Sequence, residues 1–343
     1  MENPTRRSVL LGSVASALTC PALAQTAGSS AAAFFKGKTI RMLVGSPPGG
    51  GYDLYARMIL PYLAKRLEAT ILVENRDGNG GLMALNYLMK RPADGLSIMH
   101  ASAEAAFLSQ LLQREGVVWD VTELKWLART SAAPKLWFVG NNGKVQSVAA
   151  AKNASQMIWS STGPADNISD VAAVISYALG LRSRIVVGYR GAGDMSLAVV
   201  RNEADAGVLS GDSAYNLVVS KQVKPLAILA DKRWPHLPNV PTLLEAGAVP
   251  DEKKWILDFR QQVGEAQRAM VVAPDTPPDR VEYLRAVFAD VLADPALVEE
   301  GARTNREINF MPGADLQTLL GKLMRTAQPD VASIRKIMLE SYF

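Results

Sequence analysis

The strongest chemistry in this sequence sits in one short run, Ser46-Pro47-Pro48-Gly49-Gly50-Gly51-Tyr52-Asp53. Three consecutive glycines carry no Cβ, so a ligand can approach the main chain and its N–H groups can converge. The helix that follows adds about half a positive charge at its N-terminus, which favours a carboxylate or another anion. Asp53 is placed to cap that helix. The run lies at the carboxyl end of a strand, where open α/β sheets bind ligands. It is not a nucleotide loop, because no Lys-Ser or Lys-Thr follows the glycines and the G-x-G-x-x-G spacing is absent. Gly191-Ala192-Gly193 and Gly78-Asn79-Gly80 have Ser196 and Met83 where a third glycine would stand, and both read as tight turns.

Other constellations are sparse. There is no G-x-S-x-G elbow, the histidines are His100 and His236, and the one cysteine is Cys20. A His-rich or Cys-rich metal centre and a disulfide framework are excluded by count. No metal or cofactor is implied. A nucleophilic triad would need His100, which ends a strand close to Ser102, and a strand-end histidine is more often a structural hydrogen bonder. His236 falls in the proline-rich loop WPHLPNVP. Asp251-Glu252 and Glu299-Glu300 read as solvated helix ends.

These residues need elements to hold them. Apolar runs predict strands at 39–46, 70–74, 96–101, 125–128 and 136–140, with helices over 53–68, 81–90 and 103–113, the first kinked at Pro61. A second cycle predicts strands at 157–160, 184–189, 206–210 and 225–230, with helices at 167–179 and 194–201. A proline-rich loop region covers 231–250, and an apolar strand 268–273. Helices follow at 278–292, 295–304 and 314–340. The strand–helix alternation argues for parallel sheets with helices on their faces.

The chain has 343 residues, 48% of them hydrophobic and 20% charged, enough for a sizeable core and for two domains. A net charge of +4, with no clustered basic face, excludes nucleic acid as a partner. Residues 1–24 predict an export signal: Arg6 and Arg7, an apolar run from Val9 to Leu18, then Ala22-Leu23-Ala24 with cleavage before Gln25. The paired arginines resemble a twin-arginine signal, although the usual aromatic after the pair is absent. General secretory export and lipidation at Cys20 are the alternatives. Residues 25–33 read as a disordered leader.

Several segments together resemble the Bug-type receptors of tripartite tricarboxylate transporters: Ile40–Arg57, Val73–Gly81, Pro92–Ile98, Val187–Asp194, Leu226–Gly247 and Ala273–Leu284. The resemblance implies a type II periplasmic-binding-protein-like α/β fold, with a ligand cleft between two lobes. Lobe 1 would be 34–138 plus 252–343, and lobe 2 would be 139–251. It implies a small organic carboxylate as ligand, membrane permease subunits as partners, a periplasmic location and a monomer without enzymatic activity.

By the same resemblance, Gly49, Gly50, Gly51, Tyr52 and Asp53 would bind a carboxylate. Ser161 and Thr162 would meet the other end of the ligand. Arg190, Asp212 and Ser102 match positions near the site. Tyr52 replaces the commoner Thr or Ser, Asp77 a Pro and Ser46 an aromatic. Lys253–Arg268 reads as an added helix. An exported hydrolase built on His100 with Ser102 or Ser161, and a ligand sensor for a membrane signalling partner, are the alternative functions.

Overall fold

The structure is a computed structural model that describes residues 30–343 apart from 165 and 248. The expected export signal and the start of the leader lie outside the described residues. Residues 30–35 are helical, with Ala31 and Phe35 buried. This corrects the expectation of a disordered leader reaching 33. Phe35 stacks on Tyr283 and Arg280 lies over the Phe34 ring, which anchors the segment.

The first lobe opens with β1 (Thr39–Val44), α1 (Gly51–Leu67), β2 (Thr70–Asn75), α2 (Leu82–Met89), β3 (Ser97–Ser102), α3 (Ala103–Leu111) and β4 (Lys125–Ser131). The chain then crosses. β5 (Lys135–Gly140), α4 (Val148–Asn153), β6 (Met157–Ser160), α5 (Ser169–Leu179), β7 (Ser183–Val186), α6 (Ala192–Val200), β8 (Ala206–Ser210), α7 (Gly211–Val219) and β9 (Val223–Leu229) build a second sheet and its helices. After α8 (Leu243–Ala246), α9 (Lys254–Gly264) leads back to β10 (Arg268–Val272) in the first sheet. α10 (Pro278–Leu292), α11 (Pro295–Arg303), β11 (Met311–Pro312), α12 (Gly313–Ala327) and α13 (Val331–Arg335) complete the described chain as far as its last short turn. The sheet orders are β11-β4-β10-β3-β1-β2 and β7-β6-β8-β5-β9.

Both sheets are mixed, which corrects the expectation of parallel sheets. β1 runs parallel to β2 and β3, and β6 parallel to β7 and β8. β10 runs antiparallel to β3 and β4, and β5 antiparallel to β8 and β9. The physical reason is the connection. A parallel neighbour needs a crossover over its own sheet, whereas β5 and β10 each enter from the other lobe.

The first sheet is buried on both faces. Ile40, Met42 and Val44 point to Tyr55, Ile59 and Leu63 of α1 and to Leu284 and Phe288 of α10, while Leu43 points to the opposite core beside α2 and α3. The period of two along a strand sets this division. It places Arg268, in step with Met270 and Val272, on the α1 side. The C-terminal segment reaches the second lobe, where the Tyr342 carbonyl accepts the Ile185 N–H of edge strand β7 at 2.6 Å.

Candidate functional site

The glycine run folds into the turn between β1 and α1. Gly49 has φ +80°, the left-handed region that favours glycine. A Cβ at Gly51 would lie 2.9 Å from Ser213 Oγ and 3.2 Å from Arg268 Nη2. The loop therefore touches the second lobe, which begins α7 there, and the buried end of β10. Gly50 occupies the N-cap position and gives no side-chain cap. The first-turn amides of α1 are those that helix geometry leaves without an intrahelical acceptor.

Asp53 is not the cap, and this corrects the sequence reading. Its carboxylate lies inside the loop and accepts the Gly49 N–H, Asn75 Nδ2 and Arg57 Nε, each at 2.9 Å. Burial alone would push the Asp53 carboxyl up, but these three hydrogen bonds hold it below the usual carboxylate range. Asp53 is a strut for the loop, and its acceptors are spent on the protein.

Tyr52 extends the loop into the seam between the lobes. Asn167 donates through Nδ2 to the Tyr52 phenol oxygen at 3.1 Å and to Glu104 Oε1 at 2.8 Å. Burial, helped by the Glu104 charge, pushes the phenol up. Ser102 caps α3, its Oγ accepting the Ala105 N–H at 3.2 Å.

His100 is fully buried behind Tyr52. Nδ1 lies 2.9 Å from the Tyr52 carbonyl and Nε2 3.1 Å from Thr130 Oγ1. Burial pushes its pKa down to about 4, so the ring is neutral at pH 7, its Nδ1 donating to the carbonyl. Neither nitrogen is directed to Ser102 or Ser161.

Asp212, in the first turn of α7, faces Arg268 across the lobes. Arg268 Nη1 donates to Asp212 Oδ2 at 2.8 Å, and Nη2 to Ser210 Oγ at 2.7 Å. Burial would raise the Asp212 carboxyl, but Arg268 holds it low. Arg268 Nε is buried and has no acceptor among the described residues. The guanidinium lies 4.8 Å from the Tyr55 ring centroid and 5.3 Å from that of Tyr52.

A second charge cluster closes the depth of the seam. Glu104 of α3 accepts Lys135 Nζ at 2.6 Å and Arg260 Nη2 at 2.8 Å, and Arg260 Nε lies 2.9 Å from Asp170 Oδ2 of α5. Each of the four side chains is at most 5% exposed. Burial would raise the Glu104 carboxyl, yet Lys135 and Arg260 hold it down. Asp170 is pushed up to about 6 by burial, against the pull of Arg260.

Ser161 and Thr162 stand at the end of β6, beside the first lobe's Asn79-Gly80 turn, and both hydroxyls engage Asp166. Arg190 lies at the mouth, with its side chain 84% exposed and Nε 2.9 Å from Asp194 Oδ2. The neighbouring Gly191 lies against Pro47. His236 is not a plain surface residue: it bridges the lobes by placing Nε2 2.7 Å from Glu307 Oε1.

The structure thus brings Gly49–Tyr52, Ser102, Ser161, Thr162 and Asp212 to one seam, with Asp53 behind it and Arg190 at its edge. Sequence reasoning missed Glu104, Lys135, Asp166, Asn167, Arg260 and Arg268. One signal was available for three of them. Lys135 heads KLWFVG, Arg268 heads RAMVVA, and Glu104 sits in AEAAFL, each a lone charge in an apolar run. A charge there needs a buried partner.

Two α/β lobes meeting over a polar seam, with helix N-termini facing it from both sides, define the architecture of a two-lobed solute-binding protein. Residues 55–334 match the family described as tripartite tricarboxylate transporter family receptor, and the chain belongs to that family. A relative from Pseudomonas sp. strain P51, named as a UPF0065 protein in the tcbD-tcbE intergenic region, is 26% identical over 87% of this chain and 85% of its own length. Among solved structures, an R. palustris protein with adipate superimposes with a TM-score of 0.74 at 20% identity, covering 87% of this chain and 97% of its own. MatC from Rhodopseudomonas palustris, with bound malate, gives 0.70 at 18% identity, covering 88% and 99%. At these identities the structures establish the fold.

Proposed function

We propose that this protein is a periplasmic receptor that captures a small organic carboxylate between lobe 1 (34–138 plus 252–343) and lobe 2 (139–251) and delivers it to membrane permease subunits. The observation that carries this reading is the start of α1. Gly50 gives this helix start no side-chain cap, a Cβ at Gly51 would lie 3.2 Å from Arg268 Nη2, and Arg268 Nε has no acceptor among the described residues, so a helix N-terminus and a buried guanidinium with one free donor stand side by side. Family membership supports it, as do the relatives whose descriptions name adipate and malate. Closure would remove water from the carboxylate and strengthen its hydrogen bonds. A non-enzymatic role is supported by His100, whose two ring nitrogens are both engaged by the protein. Export by a cleaved, twin-arginine-like signal and a monomeric state complete the reading.

Thermal unfolding of the purified protein against carboxylates and their matched amides tests it. A ligand at 100 times its Kd stabilises by ~2.7 kcal/mol, a shift of roughly 5–10 °C for a chain of this size. The shift is expected with an acid and lost with its amide. It is also expected to be lost in Gly51→Val, whose side chain would meet Ser213 and Arg268 and block the close approach of the lobes. A folded protein that shifts with no acid in the panel overturns the carboxylate assignment.

A further inference from the structure

A second pocket lies in the first lobe, beside the glycine loop. Gly80, Gly81 and Leu82 at the start of α2, Met99, Ala101 and Ser102 of β3, Ala105, Ala106 and Ser109 of α3, and Trp119 surround a cavity of about 10 Å³. That is the space of one water-sized group. Trp119 is 8% exposed, and its indole Nε1 is buried with no hydrogen-bond partner among the described residues. An indole N–H can only donate, and a buried donor left unmade is costly. The other tryptophans with a recorded bond show the usual outcome: Trp126 Nε1 donates to the Val121 carbonyl at 2.9 Å and Trp159 Nε1 to Ser183 Oγ at 3.2 Å.

The pocket joins the glycine loop at two points. A Cβ at Gly45, where β1 runs into that loop, would lie 2.8 Å from Gly81 Cα and 3.3 Å from Met99 Cε. Ser102 is a lining residue and also stands within hydrogen-bonding reach of the Tyr52 phenol. The lining favours an oxygen. Gly81 occupies the N-cap position of α2 and gives no side-chain cap, so the first amides of that helix add donor character beside the indole. The oxygen should be neutral, because no charged side chain lines the cavity and a desolvated charge would go unpaired. Arg114 Nη1 donates to Ser109 Oγ at 3.2 Å but is not part of the lining.

We propose that this pocket takes a neutral oxygen, keto or hydroxyl, of the acid whose carboxylate the glycine loop holds, with Trp119 Nε1–H as its donor, so that the receptor selects oxygen-bearing acids over plain acids of the same length. The inference rests on the carboxylate reading of the glycine loop. A site that hydrogen-bonds a substrate oxygen rejects the analogue without it, because the donor is then left unpaired.

Calorimetric titration of matched pairs tests it: 4-oxopentanoate against pentanoate, 5-oxohexanoate against hexanoate, and 6-oxoheptanoate against heptanoate. The wild-type protein is expected to bind the oxo acid of fitting length about tenfold more tightly than its parent. Trp119→Phe keeps an aromatic wall without the donor. It is expected to abolish that preference while changing affinity for the parent acid by less than about threefold. Ala105→Val narrows the pocket and is expected to abolish the preference as well. In the wild-type protein the Trp119 indole N–H proton resonance is expected to move downfield with the oxo acid and not with its parent. Wild-type binding of every oxo acid no tighter than its parent, or a preference that survives Trp119→Phe, overturns the proposal and leaves the carboxylate reading standing. Failure of a folded wild-type protein to bind any acid overturns both. The wild-type comparison and the indole resonance decide the matter even if a variant does not fold.

Discussion

Asp53 and His100 are both polar, both close to the glycine loop, and both used by the protein itself. The glycine loop is legible in sequence because three glycines in a row are a local signal. The role of Asp53 is not, because its partner Asn75 becomes a neighbour only when β1 and β2 pair, with Val44 opposite Asn75. His100 gives a pH prediction. Its folded pKa of about 4 lies below the ordinary 6.5, so the unfolded chain binds more protons between those values. Stability contributed by neutral His100 is present above pH 6.5 and is lost as pH falls toward 4, by about 3 kcal/mol. Asp170 acts in the opposite direction. Its raised value of about 6 makes stability fall as pH rises from the ordinary 3.8 to 6. The two effects overlap, so the measurement is a difference. Urea unfolding at stepped pH is expected to give a shallower rise in stability from pH 4 to 6.5 in His100→Asn than in the wild type. Parallel curves would contradict the assignment.

At the scale of elements, α9 carries the clearest test. The sequence reads Lys253–Arg268 as an added helix, and a helix forms over Lys254–Gly264. What that helix does was not readable, since its function lies in one side chain. Arg260 is 1% exposed and joins Glu104 of one lobe to Asp170 of the other. Removing one partner of a buried charge group leaves the rest uncompensated, which costs about 3–5 kcal/mol. Arg260→Ala is expected to lower the unfolding free energy by that amount in urea titration. Asp258→Ala, on the same helix but away from the cluster, is expected to stay within about 0.5 kcal/mol. Strand direction was equally hidden. Apolar runs at 136–140 and 268–273 identify β5 and β10 as strands, but an apolar run carries no information on which way its neighbours run.

The whole molecule is two lobes tied at several places across the seam. Asp212 meets Arg268 at 2.8 Å in a buried pair, His236 meets Glu307 at 2.7 Å in a more exposed one, and Asn167 links Tyr52 with Glu104. The buried pair is expected to dominate, because exposed pairs are screened and contribute little. Asp212→Asn is expected to destabilise the protein by about 3–5 kcal/mol and to increase the radius of gyration in small-angle scattering. Glu307→Ala is expected to change neither appreciably. An unchanged scattering profile in Asp212→Asn would remove that pair from the forces that hold the lobes together.

Local signals in the chain determined the strand and helix order, the glycine loop, the two-lobed α/β class and the resemblance to tripartite tricarboxylate receptors. These rest on periodicity and on short motifs, whose physical causes lie within a few residues of each other. Tertiary structure alone decided which charges neutralise one another. Arg268 and Asp212 are 56 residues apart, and Arg260 and Glu104 are 156 apart. It also decided that Asp53 braces the glycine loop and that Asp166 braces the turn after β6. A carboxylate reads the same in sequence whether it faces a ligand, a guanidinium or the start of its own helix. Only the packing of the lobes selects among those partners, because burial forces each polar group to find one.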